Sequence, residues 1–549
     1  MINASSLKGY RYVFLAYGFA TLLFFHPFLS GDVAAPHRQI LEVGAVATNL
    51  TTSHLENRKF SDYTSEYIPE ISEHLRGSRS GWLTLWTDHN ELGRPVYHIS
   101  GFSPAYPPSW IIGKLTDSPW RFTTVLSLLA CFGAGIFVML YCREIGLAPL
   151  AGLIAGSSLA ASPLFMYWLI FPMFPAVWCW SVAALWAMTR LARRPDLIGW
   201  GTLAFSGYSL LMTVYPQPVV YHAYLLGGYG LYLAYRKRRH NPAEIVRFVA
   251  LGASALVVVG VLALPVYLDL ALIAAESERV APDPSFFTAI LPAVDSVASG
   301  LRFMLLSTVP ELFGNPIKES FPFKYDGLSI TPLVMFLGVV GLFTAFRRTW
   351  GWWLAIVVFF LLTFVHPLYV LGVEYLGLGL SRSIPLGSIT LPLTVIVAHG
   401  ADALIRREDP ETVSRAAKYA ASSVFAVIAT GTGLGVAGFV PVRWGMVLAM
   451  LVVAGLLAAN CKTTRPALLL AALLTVLISI SYPLMLRQDP AHIATTSPLV
   501  EKICANLSTG SRFAVAAPEI SILPPNLNAS LGLASVHSYN SLSSRRYHT

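Results

Sequence analysis

The amino-acid sequence predicts an all-α polytopic membrane protein: a bundle of about 13 transmembrane helices with extracytoplasmic loops and a short mixed segment at its C-terminal end. Hydrophobic residues make up 55% of the 549 positions and charged residues only 12%, about half the charged share of a soluble domain. Apolar runs of membrane-spanning length recur along the chain. Lys and Arg concentrate in the short segments between alternate runs, as in an oriented membrane protein.

Thirteen apolar stretches are candidates for membrane-spanning helices, which need roughly 17–25 mostly apolar residues. The first stretch has no small-residue cleavage site behind it, so it predicts a retained anchor rather than a signal peptide. The stretches cover positions 12–29, 122–142, 147–169, 174–189, 198–213, 217–235, 248–271, 328–346, 351–365, 387–399, 419–439, 444–459 and 467–486.

The distribution of basic residues predicts the orientation. If the N-terminus is cytoplasmic, the inner segments contain 19 of the 38 basic residues but only 7 of the 29 acidic ones. Because cytoplasmic loops carry an excess of Lys and Arg, we expect a cytoplasmic N-terminus and an extracytoplasmic C-terminus in a bacterial inner (plasma) membrane. The net charge of +9 then follows from topology, and no nucleic-acid partner is expected. The inner segments are 1–11, 143–146, 190–197, 236–247, 347–350, 400–418 and 460–466.

This orientation divides the chain into four parts. Loops on a rigid scaffold concentrate binding and catalytic residues, so function is expected in the long outer segments. Four of the five cysteines fall in or beside apolar segments, so no disulfide framework is predicted. The parts are 1–29 (N-terminal tip and first helix), 30–121 (first extracytoplasmic loop), 122–486 (transmembrane bundle, with the extracytoplasmic loop 272–326) and 487–549 (C-terminal extracytoplasmic segment).

The first outer loop carries apolar residues at helical spacing, which predicts an amphipathic helix over 63–76 lying on the membrane surface. Asp62 stands directly before it. Aspartate is a preferred N-cap residue, so Asp62 is either a helix cap or a functional carboxylate, and the spacing leaves both open. The apolar positions are Tyr63, Tyr67, Ile71 and Leu75.

Motifs at the two ends of the chain carry a family resemblance. The first loop has a carboxylate soon after the first apolar run, then Tyr67-Ile68-Pro69, Leu85-Trp86 and Gly93-Arg94-Pro95. The tail has Pro525-Asn526-Leu527-Asn528 and then Gly532-Leu533. In this order and position the motifs resemble the YfhO-like bacterial membrane proteins of the GT-C superfamily of polyprenyl-phosphate-sugar-dependent glycosyltransferases. Two departures stand out: glutamate replaces the family's usual Gln at Glu66, and Ser538-Tyr539-Asn540 replaces its Gly-Tyr-Asp-like turn.

The resemblance implies a GT-C-like bundle. It also implies transfer of a monosaccharide from a polyprenyl-phosphate carrier to an envelope glycan, lipid or polymer on the extracytoplasmic side. Such a reaction needs a base for the acceptor hydroxyl and cations for the leaving phosphate. By position, Asp62 is the candidate base and Glu66, one turn further on, its candidate helper. The candidate phosphate ligands are Arg382, Arg94 and Arg302, and the candidate substrate contacts are Tyr67, Trp86, His366 and Tyr215.

Several alternatives stay open at this point. Arg382 sits just before an apolar run, where a guanidinium either binds phosphate or snorkels to the membrane interface. Dependence on a divalent cation, Mg²⁺ or Mn²⁺, is open because no residue cluster has clean metal-ligand spacing. A transporter or lipid flippase is the main rival function, although ionisable residues are nearly absent from the span centres. A non-catalytic envelope assembly factor is the second rival.

Overall fold

A computed structural model provides the structure of the chain. It describes residues 4–36, 60, 62–80, 86–90, 93–95, 102–240, 242–277, 297–308, 310–318, 321, 330–378, 383–407, 409–435, 465–493, 498–508, 510–514 and 526–536. The candidate Arg382 and the predicted span 444–459 lie outside these residues.

Helices make up most of the described chain. In chain order they are α1 (Ala4–Phe24), α2 (His26–Leu29), α3 (Ile68–Ser80), α4 (Pro107–Gly113), α5 (Pro119–Ile145), α6 (Pro149–Ala160), α7 (Pro163–Tyr167), α8 (Met173–Arg193), α9 (Leu197–Leu211), α10 (Pro216–His240), α11 (Pro242–Glu276), α12 (Val297–Thr308), α13 (Pro332–Phe364), α14 (His366–Leu376), α15 (Ser383–Ser388), α16 (Thr390–Arg406), α17 (Pro410–Gly435), α18 (Arg465–Val476), α19 (Pro498–Asn506) and α20 (Leu527–Ser530). Two π-helical turns (Tyr63–Tyr67 and Leu477–Ser481) and three 3₁₀ turns (Pro310–Phe313, Tyr482–Leu484 and Pro490–His492) join or extend them. Strands β1 (Trp86–Thr87) and β2 (Arg94–Pro95) pair antiparallel.

Proline and capping residues explain where the long helices begin and end. Helices α5, α6, α10, α11, α13 and α17 all start on proline, whose missing N–H costs nothing in the first helical turn. The Asp196 carboxylate caps α9 by accepting a hydrogen bond from the Gly199 N–H at 2.8 Å. Gly146 ends α5 in the left-handed conformation, with φ of 85°. These signals produce the tight turns between consecutive predicted spans.

Five helical segments of the described chain are long and apolar enough to cross a membrane, by length and composition. The most exposed is the stretch Glu244–Glu276, of whose apolar window only 17% is buried within the protein. Exposed apolar side chains along it include Leu256, Val257 and Val261. Such a surface needs a hydrocarbon surrounding, so the helix composition identifies an integral membrane protein. The total of about 13 spans stays a prediction.

Helix α13 combines two of the predicted spans, 328–346 and 351–365. Its backbone leaves helical values at Ala345 (φ −129°, ψ 15°). Beyond this bend the ring of Trp352 lies 5.3 Å from that of Tyr229. The ring of Phe359 lies 5.5 Å from that of Tyr221. The second half of α13 therefore runs antiparallel along α10.

The first half of α13 packs closely on α16. A Cβ atom on Gly341 would lie only 2.7 Å from the Ile396 carbonyl oxygen. Gly400 of α16 approaches the Leu337 carbonyl in the same way. Both positions need glycine because backbone meets backbone there, as in other tightly packed membrane helices.

One end of the bundle, here called the Asp62 end, gathers segments that are distant in sequence. Val33 and Gln488 exchange both backbone hydrogen bonds at 2.9 Å, which joins the chain after α1 to the chain after α18. The Tyr63 hydroxyl donates to the Ala34 carbonyl at 2.8 Å. The first long loop and the tail thus lie together.

The opposite end, here called the Arg348 end, carries the short basic segments. Four ion pairs of the described residues lie here: Arg194 with Glu144 (3.4 Å), Arg190 with Asp196 (2.6 Å), Arg406 with Asp402 (2.8 Å), and Lys237 with Glu244. These segments are the ones that the positive-inside rule assigns to the cytoplasm. Which end faces which compartment stays a prediction.

Candidate active site

The predicted helix of the first outer loop exists, and it begins with a wide turn. Tyr63–Tyr67 is π-helical, with the Ile68 N–H bonded to the Tyr63 carbonyl, and α3 continues to Ser80. Its apolar face is buried in the protein core, including Ile71 and Leu75. The expectation that this helix lies on the membrane surface is therefore wrong, because the protein covers it. Single π-turns inside helices occur often at functional sites.

Asp62 lies at the start of this turn and does not cap it. The residue is itself helical (φ −59°, ψ −28°), and its side chain accepts no capping hydrogen bond. No hydrogen bond or ion pair within the described residues engages its carboxylate, which reaches solvent. The surrounding protein still displaces enough water to raise the pKa of Asp62 above its usual value. A solvent-accessible carboxylate without a structural partner among the described residues matches a base better than a cap.

Tyr67 and Tyr215 come together beside this carboxylate. Burial, the charge of Glu66, the Tyr215 hydroxyl and the charge of Asp62 all raise the pKa of Tyr67. Interactions of this kind require the groups to share one region, so the structure gathers four of the nine candidate site residues. The raised pKa keeps the proton on the Tyr67 hydroxyl at neutral pH.

Aromatic rings form one wall of this region. The ring of Tyr67 lies edge-on to Phe171 at 4.8 Å. The ring of Tyr215 lies 5.2 Å from Phe174, which stacks on Trp168 at 4.6 Å. Phe171 lies in the tight turn between α7 and α8 and Phe174 in the first turn of α8, so two segments distant in sequence from Tyr67 build this wall with it. Such a wall offers an apolar surface with hydroxyls at its edge, suited to a sugar or an isoprenoid.

A strained residue directs Tyr215 to this wall. Val214, just before it, has φ of 47°, a rare value for a β-branched residue. The neighbouring turn is fixed by a hydrogen bond from the Ser103 N–H to the Met212 carbonyl at 2.7 Å. Strain held by surrounding structure is a feature of functional sites, and here it places the Tyr215 ring.

Arg94, the candidate phosphate ligand of the first outer loop, already forms an ion pair within the protein. Its guanidinium donates to Glu70 Oε1 at 2.5 Å, and the two side chains are only 8% and 4% exposed. Buried charges need such pairing, so Arg94 holds β2 against α3 and its charge is neutralised there. This arrangement favours a structural role over phosphate binding.

The remaining candidates are dispersed. Trp86 in β1 is 56% exposed, and its indole N–H donates to Asp88 at 2.7 Å. Arg302 lies exposed on α12, which packs against α17. His366 is exposed at the start of α14. No contact of the described residues links these three to Asp62, and their predicted roles stay untested.

A polar cluster around Glu73, further along the helix that follows Asp62, was not predicted from the sequence. Glu73 accepts hydrogen bonds from the Thr87 hydroxyl at 2.8 Å and, at 3.0 Å, from His89 Nδ1, and it pairs with Arg76. Burial acts to raise the pKa of Glu73, but the His89 bond, the Arg76 charge and the Thr87 bond outweigh it and lower this pKa. The sequence signal that could have indicated this cluster is the helical spacing of three carboxylates, Glu66, Glu70 and Glu73.

The C-terminal segment locks onto this cluster. The Asn528 amide donates to the His89 carbonyl at 2.8 Å, and the Arg76 guanidinium donates to the Ala529 carbonyl at 2.6 Å. The Asn526 amide donates to the Ser65 carbonyl, in the π-turn itself, at 2.9 Å. The tail thus braces the backbone that carries the candidate base.

A metal site is not evident in the part of the chain that the structure describes. No group of three His, Cys, Asp or Glu side chains within it is arranged to hold a metal ion. Glu70 and Glu73 are committed to cationic partners. Dependence on Mg²⁺ or Mn²⁺ stays an open prediction.

Comparisons with known proteins give structural similarity only. Neither a family model nor a curated protein matches the sequence, so membership of the YfhO-like family stays a prediction. The arabinofuranosyltransferase AftD from Mycobacteria matches 84% of this chain at 14% identity and a TM-score of 0.42, and this chain spans 27% of it. The structure of ArnT from Cupriavidus metallidurans bound to undecaprenyl phosphate is also similar, at 13% identity and a TM-score of 0.41. The match covers 88% of this chain and 84% of the ArnT chain. Because these TM-scores lie below 0.5, function must be argued from the chain's own residues.

Proposed function

We propose that this protein is a membrane glycosyltransferase that moves one monosaccharide from a polyprenyl-phosphate carrier to an envelope acceptor on the extracytoplasmic side. The observation that carries the proposal is Asp62: an accessible carboxylate with a raised pKa, no capping bond and no structural partner in the described chain. The resemblance of the surrounding motifs to GT-C enzymes supplies the reaction class.

The reaction assigns a step to each group. The Asp62 carboxylate takes the proton of the acceptor hydroxyl as the acceptor oxygen bonds to the anomeric carbon. The bond from that carbon to the phosphate oxygen breaks, and polyprenyl phosphate leaves. Single displacement inverts the anomeric configuration. The raised pKa suits this role because a base works best when its pKa approaches the working pH.

Positioning falls to the groups around Asp62. Tyr67 and Tyr215 present neutral hydroxyls at the edge of the aromatic wall, where they can hydrogen-bond sugar hydroxyls. Glu66 orients the acceptor in this scheme. Aligning reactants in this way supplies a large share of the rate of such reactions.

The leaving phosphate needs a cation, and Arg382 is the proposed one. Its position in the sequence, just before the span 387–399, suits the lipid-headgroup level. Arg94 is excluded from this role in the scheme because Glu70 neutralises it.

Reconstitution tests the reaction class. Purified protein in proteoliposomes is offered a panel of polyprenyl-phosphate sugars, and glycosylated product is measured with wild type, Asp62→Asn and Asp117→Asn. Asp117 is an exposed carboxylate outside α3 and serves as the matched control. We expect similar product with wild type and Asp117→Asn and about 10²–10⁴-fold slower formation with Asp62→Asn. Movement of a lipid or solute across the bilayer without any transfer product would overturn the proposal in favour of a transporter.

A further inference from the structure

The Arg348 end contains a cavity far from the candidate active site. It has a volume of about 750 Å³ and lies between α5, α8, α10, α13 and α16. Tyr215 of the candidate active site stands directly before α10, and Arg236 near the other end of α10 lines the cavity. The 21 helical residues from Pro216 to Arg236 span roughly 30 Å. Nothing in the proposed transfer reaction uses this cavity.

The lining of the cavity is strongly basic. Six of its side chains are cationic and two are carboxylates. The carboxylates are satisfied, since Glu244 pairs with Lys237 and Asp402 pairs with Arg406. The other four cations have no acidic partner within the described chain: Arg193, Arg236, Arg347 and Arg348. Four guanidinium groups that no described carboxylate neutralises favour an anion in this chamber, and phosphate matches guanidinium geometry.

An apolar groove continues from this cavity. It has a volume of about 350 Å³ and shares Tyr229, Tyr232, Arg348 and Trp352 with the cavity. From there it follows α10 and the second half of α13 toward the middle of the bundle, past Val358. Its walls include side chains exposed on the outside of the bundle, so the groove opens sideways, where a membrane would lie.

We propose that cavity and groove together bind an anionic phospholipid. Its phosphate lies among the arginines, between Arg236 and Arg348, and one hydrocarbon chain lies in the groove. A soluble anion would use the cavity but not the groove. Basic pockets between membrane helices on the cytoplasmic side take anionic lipid headgroups in the same way, and the predicted orientation places this end in the cytoplasm. The bend at Ala345 presents Arg347 and Arg348 to the cavity, so a bound lipid would brace α13 against α10.

Two kinds of variant separate headgroup from chain binding. The double variant Arg236→Gln with Arg348→Gln removes two of the unpaired charges. Gly228→Leu keeps every charge and fills the groove, because a Cβ atom at Gly228 meets nothing within 4 Å. Arg415→Gln is the matched control, since Arg415 is exposed on α17 and does not line the cavity.

The measurement is lipid binding to the full chain in detergent, by native mass spectrometry and thermal stabilisation. The probes are phosphatidylglycerol, cardiolipin, phosphatidylcholine, undecaprenyl phosphate and inorganic pyrophosphate. We expect the anionic phospholipids to bind at least about tenfold more weakly to the arginine variant and several-fold more weakly to Gly228→Leu. The Arg415→Gln control should bind like wild type.

Three results would overturn the proposal. Equal binding of phosphatidylcholine would show that charge does not select the lipid. Pyrophosphate binding with no effect of Gly228→Leu would assign the cavity to a soluble anion. Stronger binding of undecaprenyl phosphate than of either phospholipid would assign it to the carrier lipid instead. Should Gly228→Leu fail to fold, the arginine variant and the choice among the probes still decide the outcome.

Discussion

The buried ion pair between Glu70 and Arg94 gives a prediction that separates structure from substrate binding. Replacing Arg94 with Gln leaves the Glu70 carboxylate buried without this partner. The charges meet at 2.5 Å with both side chains less than 10% exposed, and breaking such a pair typically costs about 3–5 kcal/mol. The double variant Glu70→Gln with Arg94→Gln removes both charges, so it should recover part of this loss.

Thermal unfolding in detergent, followed by tryptophan fluorescence, measures the effect. We expect Arg94→Gln and Glu70→Gln to lower the Tm clearly, and the double variant to fall by less than the sum of the two. An Arg94→Gln variant with unchanged Tm and a raised KM for the donor would contradict the structural role and return Arg94 to the phosphate site.

Three further predictions concern the same end of the molecule and the α13–α16 contact. Burial lowers the pKa of His74 to about 4, below the 6.5 of the unfolded chain. Because the unfolded chain binds this proton more readily between the two values, the free energy of unfolding should fall by about 2 kcal/mol from pH 7.5 to pH 5. The His74→Phe variant should lack this part of the pH dependence, and an identical pH dependence of wild type and variant would contradict it. Asn528→Ala should cut transfer activity and increase proteolysis of the tail with a small change in Tm, because it frees the tail from the His89 carbonyl; unchanged activity would contradict a bracing role. Gly400→Ala should lower the Tm or prevent folding, since a Cβ atom would collide with the Leu337 carbonyl, whereas Gly351→Ala, where a Cβ atom meets nothing within 4 Å, should be tolerated.

The local features of the fold could be predicted from sequence. Apolar runs placed most of the long described helices, and the spacing from Tyr63 to Leu75 predicted the helix of the first loop, which the structure shows as a π-turn followed by α3. Periodicity could not show that the protein covers α3, because the covering residues are remote in sequence. The bend at Ala345 shows the same limit, since hydropathy predicted two spans but not the continuous helix that joins them.

The candidate site was predictable only in part, and for a physical reason. Asp62, Tyr67 and Tyr215 were identified by position and resemblance, and the structure brings them together. The pairing of Glu70 with Arg94 was not predicted, because these residues are 24 positions apart and meet only when the chain folds back. The contact of Asn528 with His89 spans 439 positions. Ion pairs and braces of this kind are set by tertiary contacts, which leave no periodic signal.

A comparison of pH–rate profiles decides whether Asp62 is the general base of a transfer reaction. The initial rate of transfer in proteoliposomes is recorded against pH for wild type and Asp62→Asn. We expect Asp62→Asn to lose about 10²–10⁴-fold in rate. It should keep a Tm at or above that of wild type, since an ionised carboxylate with a raised pKa is unfavourable in the folded state. The acid limb of the wild-type profile should lie at higher pH than an ordinary aspartate would give, because burial raises the pKa of Asp62. A folded Asp62→Asn variant with the wild-type rate and the wild-type pH profile would show that Asp62 is not the base.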